Sequence, residues 1–142
     1  MNSQDQIQTV SAAAIQLDTK IGKTSENLKS CRRLADEAVK TGATWIGLPE
    51  FFNTGVSWDP KLVTAIEYED GPSASFLKDF SKENSVVIGG SFLCRIPKKG
   101  VRNRYLCFSD GKLIGCTYLK DQGVVAFHQH DFDGGEVESI CV

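Results

Sequence analysis

The sequence predicts an α/β fold made of parallel β-α-β units and closed by an antiparallel hairpin, and three observations carry that prediction. Two short apolar runs, residues 10–17 and ATWIGLP (residues 43–49), flank one segment of helical periodicity. A second helical segment is followed by the apolar run SVVIGGSFLC (residues 85–94). Finally, VRNRYLCFSDGKLIGCTYLK (residues 101–120) reads as two strand-like runs joined at an Asp-Gly pair, a strong hairpin signal.

The first run, VSAAAIQL, has strand length and leads into the loop DTKIGK. Thr24 or Ser25 is expected to cap the helix that follows, with Glu26 set favourably in its first turn. Within SENLKSCRRLADEAVKTG, the residues Leu28, Cys31, Leu34, Ala35, Ala38 and Val39 recur at three- and four-residue steps, which is one face of an amphipathic helix. Gly42 is expected to end it. The connection back to ATWIGLP is long enough for a right-handed parallel crossover. The turn-rich loop NTGVSWDP and a short helix over residues 61–67 come next, and Gly71 and Pro72 then open a second helix through about residue 83. Beyond Lys120 the pattern loses its period, ending in a strand-like run that suggests an incomplete sheet.

At 142 residues the length fits one domain, here the partial domain 1–142, with enough apolar residues for a core. The net charge of -2 offers no basic footprint for nucleic acid phosphates or an anionic membrane, so neither is expected as a partner. No apolar run approaches transmembrane length, and MNSQDQIQTV lacks the parts of a signal peptide, so the expected compartment is the cytosol. Cys31, Cys94, Cys107, Cys116 and Cys141 are scattered without a C-x-x-C pair and mostly lie in apolar segments, as reduced structural cysteines do.

Glu50 closes the second strand in WIGLPEFFNTG, straight out of an apolar run. Ligands of open α/β sheets bind beyond the carboxyl ends of parallel strands, and a desolvated approach would raise the carboxyl pKa toward that of a general base. The position alone equally suits a solvated loop carboxylate. Lys120 ends the second hairpin strand, where a lysine is ordinarily just solvated; held near Glu50, its ammonium could stabilise an oxyanion. In HQHDFD the residues His128, His130, Asp131 and Asp133 have no second ligand group at a recognisable spacing, so a surface loop is expected and no metal. Neither phosphate-cradling glycine motif is present, and no cofactor is expected.

Three landmarks in order, AAAIQLD, WIGLPEFFNTG and DGKLIGCTYLKDQ, resemble the N-terminal half of the nitrilase, or carbon-nitrogen hydrolase, superfamily. EDGPSASFLKDFSKENSVVIGGSFLCR and the asparagine of VRNRYLCF match in style, so the resemblance runs from about residue 9 to 136. It implies a nitrilase-like α/β sandwich, apparently truncated here, that pairs with a second subunit as a homo-oligomer or heteromer. It also implies a Glu-Lys-Cys triad acting on nitriles, amides or N-carbamoyl compounds. Glu50 resembles the general base and Lys120 the residue that stabilises the tetrahedral intermediate. The family cysteine lies beyond a glycine-rich turn like FDGGE, one strand further on; Cys141 follows Lys120 too closely and lacks the aromatic-acidic pair after it. Near His128 relatives carry a further glutamate in a segment like WEN, where this chain has FHQ. The expectation is therefore a hydrolase by family whose nucleophile is missing from this chain, inactive alone, or else a non-catalytic module that pairs with a complete relative.

Overall fold

The computed structural model describes residues 9–57, 59–119 and 139–141. Seven strands form one mixed sheet, and two helices pack on one of its faces. Strand β1 (Ala12–Ala14) is shorter than the apolar run that predicts it, because its ladder to β2 (Trp45–Glu50) ends at Gly47, where the next strand shifts register. Ile15 donates one further bond to the Gly47 carbonyl, after which Ile15 and Leu17 turn their side chains against the core.

Helix α1 (Thr24–Lys40) joins β1 to β2, and the predicted apolar stripe supplies Cys31, Ala35 and Ala38 to the core. Its start corrects the expected cap. Lys23 holds the N-cap position without a side-chain bond, while Thr24 is already helical and its Oγ1 is buried with no partner among the described residues. Asn27, one turn in, does the anchoring: its Oδ1 accepts from the Lys20 amide, and its Nδ2 donates to the carbonyls of Lys20 and Asn53. Gly42 follows the helix at φ 92°, the left-handed exit expected of it.

The expected short helix is a 3-10 turn at Pro60–Ala65, and it ends in a two-residue strand, β3 (Glu67–Tyr68). Strand β3 pairs with β4 (Val87–Ile96) at Cys94 and Arg95, along the edge that β2 leaves at Ser91. Helix α2 (Pro72–Asn84) starts at the predicted proline; the Glu67 carboxylate accepts the Ser73 amide at 3.0 Å and so serves as a cap from outside the helix.

From β4 onward the sheet is antiparallel, through β5 (Gly100–Ser109), β6 (Lys112–Leu119) and β7 (Ser139–Cys141). The β5–β6 hairpin turns at Asp110 (φ 48°) and Gly111 (φ 73°), the pair of positive φ angles that a two-residue turn needs. A second hairpin, β4–β5, has no Asn-Gly or Asp-Gly signal; it turns through Lys98 at φ 65°.

The main core lies between the helices and one sheet face. There Ile46, Leu48, Ile88, Phe92, Leu106 and Phe108 meet Ala35, Leu77 and Phe80. On the opposite face a smaller cluster of Phe51, Leu62, Leu93 and Val101 covers only the carboxyl end of β2 and β4. Among the described residues, no helix covers the rest of that face.

Candidate active site

Glu50 stands at the border between the covered and the uncovered part of the second face. Two local features set it there. The β2–β4 register shifts between Gly47 and Glu50, bringing Glu50 opposite Ser91. Phe51 then takes a left-handed backbone, φ 52°, which is costly for an aromatic residue and turns the chain sharply out of the strand. The loop it enters is locked. Gly55 donates to the Phe51 carbonyl at 2.8 Å, Gly22 to the Thr54 carbonyl at 2.9 Å, and the buried Asn53 donates through Nδ2 to Glu67 Oε1 at 2.8 Å.

The desolvation expected around Glu50 is absent: the strand end opens to solvent and the residue is exposed. What holds the carboxylate is Asn103, 8% exposed, whose Nδ2 donates to Glu50 Oε1 at 2.6 Å. A carboxylate only accepts, so the amide must present its NH2 to Glu50. The Asn103 carbonyl oxygen is then left buried, with no partner among the described residues. Sequence reading reached Asn103 only as part of a family resemblance. The signal that could have found it is a neutral polar residue alternating with Val101 and Tyr105, on a strand whose other face is also covered.

Lys120 lies outside the described residues, as do His128, His130, Asp131 and Asp133. The described part of β6 runs to Leu119, whose backbone is in register with Asn103. Among the described residues no cluster of three His, Cys, Asp or Glu side chains is placed to hold a metal ion.

The cysteines stand apart from Glu50. Cys31 and Cys94 are fully buried in the core, and burial pushes both thiols up to about 12. Cys116 packs partly against the same core, and its Sγ accepts from Arg104 Nε at 3.2 Å. Cys107 lies on the uncovered face, in register with Gly47's partner Gly89, with its thiol raised by burial. The backbone of Cys141, on β7, pairs with Gly115 of β6. The register line through Glu50 crosses Ser91, Tyr105 and Thr117 before it reaches Ser139, four strand spacings or about 19 Å away. Cys141 lies two residues further along β7.

The sequence profile of the carbon-nitrogen hydrolase family matches residues 11–123, which is most of the chain and takes in Glu50, Asn103 and Lys120. The chain belongs to the carbon-nitrogen hydrolase family. Two curated relatives of this family member are nitrilase homolog 2 of Dictyostelium discoideum and a nitrilase of Pyrococcus abyssi. The first is 32% identical over 112 residues, covering 76% of this chain and 31% of the relative. The second is 29% identical over 82 residues, covering 56% of this chain and 31% of the relative. The fold matches a crystal structure of a CN-hydrolase superfamily protein from Xanthomonas campestris with a TM-score of 0.77 at 22% identity, over 92% of this chain and 48% of that one. The chain thus spans about a third of the length of these curated relatives. Among the described residues of this family member, no helix is long and apolar enough to cross a membrane.

Proposed function

We propose that this chain contributes the general base and the electrostatic stabiliser of a carbon-nitrogen hydrolase site that acts on amides, nitriles or N-carbamoyl compounds. The observation that carries the reading is Glu50, set at the carboxyl end of a parallel strand and held there by Asn103 at 2.6 Å. Glu50 takes the proton of an attacking thiol, and its exposed setting leaves it open to a group delivered from outside the chain. Lys120 faces the charge that develops on the attacked carbon's substituent, oxygen for an amide and nitrogen for a nitrile. The register of Leu119 against Asn103 supports a place for Lys120 at the same end of the sheet as Glu50.

The thiol is supplied from outside these five cysteines, so the isolated chain does not turn over substrate. The distance from Glu50 to the Cys141 backbone supports this, as does the burial of Cys31 and Cys94. The test has two arms. Purified alone, the chain should release no ammonia from a simple amide or nitrile; hydrolysis that survives Cys141→Ala would sink the reading. Co-expressed with the second half of a complete relative, it should hydrolyse an amide, and Glu50→Gln should then lower kcat by about a hundredfold or more. In the same assembly Lys120→Met should lower kcat with little change in KM.

The uncovered sheet face favours a second reading, in which the chain is a non-catalytic module paired with a complete relative. Size-exclusion chromatography of the two together distinguishes them: a heteromer without hydrolysis supports the module. The described cysteines are free thiols, which supports a cytosolic setting, and cell fractionation checks it.

A further inference from the structure

We infer that Asn103 is a positioning residue of the hydrolase site, one whose buried amide serves the direction of Glu50 rather than the stability of the fold. The inference rests on the hydrolase reading above. Asn103 stands on β5 in register between Leu93 of β4 and Leu119 of β6, and at 8% exposure its amide has left water. Among the described residues it makes one side-chain bond, from Nδ2 to Glu50 Oε1 at 2.6 Å, and its Oδ1 is left buried without a described partner. An amide that leaves water and pairs only in part lowers stability relative to an apolar residue of the same size.

Two other buried asparagines show what a structural role requires. Asn27 sets both ends of its amide on backbone groups, those of Lys20 and Asn53, and so pins a loop to α1. Asn53 donates to Glu67, whose second oxygen accepts the Ser73 amide, so that bond joins the loop after β2 to α2. The bond from Asn103 joins no further element. It is the one side-chain hydrogen bond of Glu50 among the described residues, and β2 and β5 are already fixed to each other through β4. What the bond fixes is where the carboxylate points.

Glu50 needs that guide because its backbone supplies a position and no direction. The register shift and the left-handed Phe51 place its Cα, while an exposed glutamate is otherwise free about its side-chain torsions. With Oε1 held by the amide, Oε2 is left to receive the thiol proton. The S–H bond breaks, its electron pair stays on sulfur as the nucleophile, and an O–H bond forms at Oε2. A carboxylate that had to find the thiol by rotation would lose the alignment on which such a transfer depends.

Asn103→Leu and Asn103→Asp test the inference, since both keep the size of the side chain and lose its donor. In the full chain alone, the urea midpoint of Asn103→Leu should equal or exceed that of the wild type, while the order parameter of the Glu50 γ-methylene, measured by carbon relaxation, should fall. In the assembly with the second half of a complete relative, each variant should lower amide-hydrolysis kcat by about tenfold to a hundredfold with little change in KM. A midpoint clearly below the wild type in Asn103→Leu would make the amide structural and overturn the inference, as would an unaltered order parameter. Hydrolysis lost in Glu50→Gln but intact in both Asn103 variants would overturn it and leave the hydrolase reading standing. No hydrolysis by the wild-type assembly would remove that reading, and this inference with it.

Discussion

A β-carbon at Gly90 would meet Leu48 Cβ and the Phe52 ring at 2.8 Å, and neither atom can swing away because one is fixed to its backbone and the other is packed in the core. Gly90→Ala is therefore expected to destabilise the chain by about 1–3 kcal/mol in urea unfolding. Gly47→Ala, in open space three residues before Glu50, should change stability by no more than about 0.5 kcal/mol. The sequence displays both glycines in strand-like runs and offers no means of telling them apart. Glu50 was legible for a different reason. A charged residue directly after an apolar strand has to sit at the strand's end, whichever way the sheet is assembled. Its partner Asn103 was not legible in that way, because 53 positions separate the two and the β4–β5 register alone makes them neighbours.

Glu67 ties three elements together: its Oε1 accepts from Asn53 in the loop after β2, and its Oε2 from the first turn of α2. Glu67→Ala would orphan both donors, and a loss of about 1–3 kcal/mol is expected in chemical denaturation. Because the same loop sets the exit from Glu50, hydrogen exchange at the Thr54 and Gly55 amides should rise in that variant. Both main helices were readable because their apolar stripes are local, as were Gly42, Pro72 and the Asp110-Gly111 turn, where backbone geometry follows from residue type. The 3-10 turn, the two-residue β3 and the capping role of Glu67 were not. Each is fixed by what β4 and α2 present to the segment rather than by any periodicity within it.

For the whole molecule, the buried thiols set a limit at alkaline pH. Cys31 and Cys94 rise from about 9 to about 12 on folding, chiefly through desolvation. A raised folded value means the folded state holds the proton more tightly. Their contribution is thus complete below pH 9 and is lost as pH climbs from 9 toward 12, at about 1.4 kcal/mol per unit for each thiol. Urea midpoints measured across that window should fall, and less steeply in Cys31→Ala or Cys94→Ala. By itself the sequence determined the order and type of the main elements, the family and the position of Glu50. These follow from local periodicity, turn chemistry and a motif that keeps its residues together along the chain. Only the tertiary structure decided that both helices share one face, that Asn103 holds Glu50, that Glu50 is open to solvent and that a small cluster around Leu62 and Leu93 covers the end of the other face. Those outcomes depend on strand order and register, which join residues far apart in the chain and leave no mark in any local window.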